Sequence, residues 1–166
     1  MKRAVIIFGL TLGLTSFSFA QNISIYMLEH LCGKDWSEAA AYLTNRGWEF
    51  FNAEKETPTT YGVVSYSYDR SEYSSTTAKA WIYLYTDNGQ VVKIIVAFVK
   101  DEFYRNIKNS LSAYGYKKIT SKITDDGIAH IYSNSKYNLE IEFLNDKNFA
   151  GKNQYSITIK PKTLGY

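Results

Sequence analysis

Twice along this chain the spacing of apolar residues changes from a helical period to a strict alternation, and both times a glycine marks the change. The first is Gly47 and the second Gly115. A glycine that can adopt a left-handed backbone ends a helix, and the alternation after it describes strands with one face toward a core. Before Gly47, Asp35-Trp36-Ser37-Glu38 has the form of a capping box, and Trp36, Ala39, Ala40 and Leu43 share one helical face. This predicts a helix over residues 36–46. Ahead of it Ile25, Leu28 and Cys32 lie on a shorter helical stripe broken by Gly33, so the entry reads as helix-loop-helix. Before Gly115, Asp101 is placed to cap a helix whose Phe103, Ile107, Leu111 and Tyr114 share a face.

Strands follow each helix. In the first half they are predicted at residues 48–53, 61–68, 79–86 and 90–99, the last two joined by Asp87-Asn88-Gly89, a sequence suited to the positive φ angles of a tight hairpin. In the second half they begin at Tyr116 and continue over residues 127–133, 137–144 and 154–160, with Asp125-Asp126-Gly127 as a turn. Sliding the chain along itself until Gly47 lies on Gly115 also lays Trp36 on Tyr104, Ala39 on Ile107, Leu43 on Leu111 and Trp48 on Tyr116. The expected class is α+β: two tandem αββββ units with antiparallel sheets and helices packed on one face, over residues 21–100 and 101–166.

Residues 1–20 stand apart. Met1-Lys2-Arg3 precedes an apolar run from Ala4 to Phe19, and Ser18 and Ala20 occupy the small-residue positions of a signal-peptidase site. The run is short for a membrane span, which takes about 20 apolar residues. We expect a cleaved secretory leader, a mature chain from Gln21, and a periplasmic or extracellular location. Cys32 is the only cysteine, so no internal disulfide can form, and Leu28-Glu29-His30-Leu31 before it is no lipid-attachment signal. Its two readings are a buried small hydrophobe and an exposed thiol that pairs with another chain.

Of the 19 Lys and Arg, two lie in the leader, leaving 17 against 16 acids. With the cations interspersed among Asp, Glu and Asn, no basic stripe emerges of the kind that neutralises nucleic-acid phosphates. Chemistry is equally thin. The two histidines, His30 and His130, lie far apart in dissimilar settings; His30 and Cys32 point in different directions on a helix; Asp125-Asp126-Gly127 lacks the alternating ligands of a calcium loop; and Glu140 with Glu142 reads as solvated surface. We therefore expect no enzyme, no cofactor and no metal.

The alternation is clean in the second half, where Leu139, Ile141 and Phe143 oppose Asn138, Glu140 and Glu142, and Tyr155, Ile157 and Ile159 oppose Ser156, Thr158 and Lys160. The first half departs from it. Trp81, Tyr83 and Tyr85 alternate with Ile82 and Leu84, while Val92, Ile94, Val96 and Phe98 alternate with Val91, Ile95 and Val99. Both faces are apolar, and one helix covers one face. The surplus is either covered by the N-terminal helix, the other unit or a second copy of the chain, or it is an exposed platform of Trp81, Tyr83 and Tyr85 with Tyr66 and Tyr68 beside them. Tyr73, in the polar linker 69–77, is a further candidate contact.

The order helix-loop-helix then four antiparallel strands, repeated in tandem in a small exported protein, resembles the β-lactamase inhibitory protein family. It is also similar to the small periplasmic lipoprotein modules of outer-membrane assembly. The resemblance lies in element order alone, without a shared residue motif, and it implies a concave sheet surface that grips a protein. The expected function is a non-catalytic exported module that binds a protein, of inhibitor, immunity or envelope-accessory type. A carbohydrate or small-ligand binder is the alternative, and a small secreted hydrolase the third.

Overall fold

The computed structural model describes residues 23–70, 78–125, 127–144 and 154–162. The leader, Tyr73 and Asp126 lie outside the described residues. Helix α1 spans Ile25–Leu31 and α2 Trp36–Thr44; strands β1 (Glu49–Glu54), β2 (Gly62–Arg70), β3 (Ala78–Asp87) and β4 (Gln90–Phe98) follow. Helix α3 (Asp101–Ser110) then precedes β5 (Lys117–Ile123), β6 (Gly127–Ser133), β7 (Tyr137–Leu144) and β8 (Gln154–Pro161).

The class is α+β and every strand pair is antiparallel, but the expected pair of sheets is one. All eight strands join in the order β1-β2-β3-β4-β8-β7-β6-β5. The seam is β4 against β8, where Ile94 faces Ile159, Val96 faces Ile157 and Phe98 faces Tyr155. These residues and their neighbours Leu84, Leu139 and Ile141 are almost wholly buried in one apolar cluster with Leu28 and Leu31 of α1, Ala39 and Leu43 of α2, and Phe103 and Ile107 of α3. The helices therefore share one face of the sheet. Each large apolar side chain so enclosed contributes about 1.5–3 kcal/mol.

The helix-to-strand corner takes the same form in both halves. Gly47 and Gly115 have φ of 77° and 73°, and the amides of the next residues, Trp48 and Tyr116, bond to the carbonyls of Leu43 and Leu111. Both aromatics are buried. β1 bulges at Phe51, between Phe50 and Asn52, and β5 at Ile119, between Lys118 and Thr120. The offset that lays Gly47 on Gly115 lays one bulge on the other.

Local chemistry corrects several expectations. Asp35 does cap α2, accepting from Ser37 N at 2.8 Å, but Glu38 does not reach back; it pairs with Lys34 at 3.1 Å. Trp36, expected on the buried stripe, is 47% exposed: the helix buries Ala39 and Leu43, with Ala40 and Tyr42 packed partly against the core beside them. In α3 the cap position falls to Lys100, and Asp101, inside the first turn, accepts the Tyr155 hydroxyl. In β4 a bulge between the pairs Tyr85–Lys93 and Thr86–Val91 resets the alternation, so Val91 is fully buried while Val92 is not. Asn88 and Gly89 form the expected hairpin turn, with φ of 49° and 75°.

A polar clamp fixes α1 to the far half of the sheet. Glu29 Oε1 accepts from the Tyr116 hydroxyl at 2.9 Å and from Asn134 Nδ2 at 3.0 Å, and the Glu29 carbonyl accepts from the Tyr137 hydroxyl at 3.3 Å. Burial first, then the bond to Glu29, raises the Tyr116 phenol well above its ordinary range, so it stays a donor. Glu29→Ala strands that buried hydroxyl and should destabilise the protein by about 1–3 kcal/mol, whereas Tyr116→Phe, which removes the donor itself, should cost less. Urea unfolding of the two variants measures the difference; equal losses would contradict the clamp.

Candidate functional site: the helix-free face of the sheet

Residues directly opposite one another in antiparallel strands share a face. Trp81, Tyr83 and Tyr85 lie opposite Ser67, Ser65 and Val63 of β2 on one side and Ala97, Ile95 and Lys93 of β4 on the other. Their alternates Ala80, Ile82 and Leu84 are buried beneath the helices. The three aromatics thus form a row on the face that no described helix covers, and each is half-buried.

The row is a packed layer. Phe51, which alternates with Phe50 along β1 and so lies on this face, sets its ring edge-on to Trp81 at 4.8 Å, with the Arg70 guanidinium 5.7 Å from its own centroid. Lys93 Nζ lies 3.5 Å over the Tyr85 ring. Small residues fill the floor: Ser65 donates to the Asn52 carbonyl at 3.2 Å, and Ser67 is fully buried. Burial, and then the neighbouring Tyr85, raises the Tyr83 phenol, so the hydroxyl is neutral near pH 7 and can donate or accept. Such a surface offers rigid aromatic area, a neutral polar handle and two cations, Arg70 at one end and Lys93 at the other.

The cross-strand register divides the residues expected to act together. Tyr66 and Tyr68 lie opposite Ile82 and Ala80, on the helix side. Tyr66 is 3% exposed, and Tyr68 packs against Trp48 with ring centroids 5.7 Å apart. They belong to the core and not to the platform. Phe51, Ile95 and Lys93 take their place, and the nearest signal in the sequence was the pair of consecutive aromatics at Phe50-Phe51, which cannot both be buried on an unbroken strand.

On the other half of the same face Glu140 pairs with Lys122 at 3.0 Å and Glu142 accepts from Thr124 Oγ1 at 2.6 Å. Ser121 Oγ and His130 Nδ1 are 2.9 Å apart on the helix side, where burial and then Lys118 and Lys108 lower the His130 pKa. Ser121 lies on the exposed edge strand β5, outside any enclosure that would exclude water. Two depressions among the described residues are open, one of about 440 Å³ between Trp36, Glu54, Glu56 and Gly89 and another of about 590 Å³ between Thr57, Tyr61, Tyr85 and Asp87. Among the described residues no group of three His, Cys, Asp or Glu could hold a metal, and no helix is long and apolar enough to cross a membrane.

Comparison with protein-family models, characterised proteins and solved structures finds no match to this chain.

Of the two readings of Cys32, the structure bears the buried one: the thiol is 9% exposed, and burial, then the charge of Glu29, pushes its pKa from 9.0 up to about 12. A thiol whose folded pKa is raised favours the fold below its unfolded value and loses that contribution as pH climbs toward the folded one. Cys32 should therefore resist iodoacetamide in the native protein at pH 8 and react in denaturant, and it should lower stability between pH about 9 and about 12. Rapid labelling of the folded chain would contradict this.

Proposed function

We propose that the protein is an exported, non-catalytic module that binds another protein through the helix-free face of its sheet, centred on Trp81, Tyr83 and Tyr85. On this reading the chain is a duplicated αββββ unit, divided at about residue 100, that loses its leader as far as Ala20 on export. It works as an inhibitor, an immunity factor or an envelope accessory, in the manner of the β-lactamase inhibitory protein family that its element order resembles. The observation that carries the proposal is the aromatic row itself: Trp81, Tyr83 and Tyr85, with Phe51 edge-on, on the face opposite all three helices. Buried core needs none of these rings there, and Trp and Tyr are the residues that most often anchor a protein interface.

The flanks favour protein over carbohydrate. Ile95 and Ala97 lie along one side of the row and Ser65 and Ser67 along the other. A sugar site needs amides and carboxylates at the ring edges, whereas apolar and small neighbours suit the dry centre of a protein interface.

Affinity capture from the envelope and medium of the source cells, with Trp81→Ala and Tyr83→Ala beside the natural sequence and Trp36→Ala as the exposed-tryptophan control, tests the proposal. Loss of either anchor should weaken capture by about thirtyfold while thermal stability stays within a few degrees, as expected of interface anchors worth about 2 kcal/mol. The exported protein should begin at Gln21. Capture that survives both substitutions, or is lost equally with Trp36→Ala, would place the site elsewhere.

A further inference from the structure

The two edges of the sheet are built to meet each other. β1 and β5 are the outer strands, every residue of both is exposed, and among the described residues neither has a second strand beside it. An unpaired strand edge presents a row of free backbone donors and acceptors. The side chains there are unlike: β1 reads EFFNAE, with Glu49 and Glu54, and β5 reads KKITSKI, with Lys117, Lys118 and Lys122. One edge is acidic and the other basic. Large apolar groups also stand open on both, with Phe50 58%, Ile119 63% and Ile123 89% exposed.

We propose that β1 of one molecule pairs with β5 of a second copy of this chain, extending the sheet from molecule to molecule. The strand count makes this geometrically simple. Eight successively antiparallel strands leave β1 and β5 running in opposite directions, so a copy set beside the sheet in the same sense joins it antiparallel, with its helices on the same side. In the register that places Glu49 opposite Lys122, Glu54 falls opposite Lys117, because both strands span five steps between their charges. All four point to the helix-free face, since Glu49 and Glu54 lie opposite Ser67 and Val63 and Lys117 and Lys122 opposite Ser133 and Ala129. On the helix side the same register sets Phe50 against Ser121 and Ala53 against Lys118, so no residue is forced through the sheet. The bulges at Phe51 and Ile119 fall within one residue of each other across the junction, which keeps the count equal.

Like edges are disfavoured. A twofold β1–β1 contact sets Glu49 opposite Glu54, and a twofold β5–β5 contact sets Lys117 opposite Lys122, each pair on the helix-free face; like charges directly across strands repel. Glu49 already meets Arg70 at 3.8 Å and Lys122 meets Glu140 at 3.0 Å. The junction therefore makes a row of alternating sign, Arg70, Glu49, Lys122 and Glu140, shared between two molecules. Exposed ion pairs add little affinity and mainly choose the register and the partner. Because the contact is head-to-tail, it propagates and gives an open series and not a closed dimer.

Sedimentation velocity of the purified protein over about a hundredfold range of concentration tests the inference, since an open head-to-tail contact grows with concentration. The natural sequence should associate progressively, and more weakly in high salt. Glu49→Lys with Glu54→Lys leaves both edges basic, and Lys117→Glu with Lys122→Glu leaves both acidic; each should associate about tenfold more weakly or worse. An equimolar mixture of the two variants restores opposite edges and should recover association. Circular dichroism confirms that each variant is folded. A natural protein that stays monomeric throughout, variants that associate as it does, a mixture that fails to recover, or association abolished instead by Trp81→Ala would each overturn the inference.

Discussion

The seam between β4 and β8 is the contact on which the rest of the molecule depends. Ile94 against Ile159, Val96 against Ile157 and Phe98 against Tyr155 join the two halves into one sheet, and behind them the three helices share one apolar face. Once the halves are fused in this way, each half loses a free edge and neither needs the other to cover its second face. The consequence is a two-layer molecule in which a full sheet surface has no described helix over it. What occupies that surface is then set strand by strand: Ser156, Thr158 and Lys160 on β8 and Asn138, Glu140 and Glu142 on β7, with Ala129 and Ile131 on β6, against aromatic and aliphatic side chains along β3 and β4.

That asymmetry follows from side-chain alternation and not from any irregularity of the fold. Ile82 and Leu84 are committed to the core, and their neighbours Trp81, Tyr83 and Tyr85 are presented to the opposite side by the pleat. Rings in this position are held by the backbone on both sides, by Phe51 at one end and by Lys93 at the other. A preformed aromatic surface of this kind gives up little conformational freedom on contact, which is where binding surfaces gain most. The clamp through Glu29 acts at the opposite side of the sheet, tying α1 to the second half and stiffening the layer behind the row.

Much of the fold was legible because its signals are local. The glycines at 47 and 115, the Asn-Gly hairpin and the clean alternation of β7 and β8 each fix an element through backbone conformation or a two-residue period, and the strands appear where those signals lie. Which strands become neighbours across the halves was not legible, since Ile94 and Ile159 carry no mark of partnership. The site was half legible. Trp81, Tyr83 and Tyr85 were found by counting alternate residues along one strand, but assigning Tyr66 and Tyr68 to the same surface required the β2–β3 register, which a sequence does not contain. Bulges were the other blind spot: one extra residue at Phe51 resets the alternation so that Glu54 shares the face of Glu49, and one at Val92 turns Val91 toward the core.

Strand β3 divides two environments, a dry face beneath the helices and a face open to contact, and the proposed site stands or falls with that division. Relaxation of its side chains by a soluble paramagnetic agent measures this directly, residue by residue along one strand. The Trp81 indole and the Tyr83 and Tyr85 rings should relax strongly and the Ile82 and Leu84 methyls hardly at all, in strict alternation. Equal protection of both sets would mean that something in the protein already covers the aromatic row, and would contradict the division.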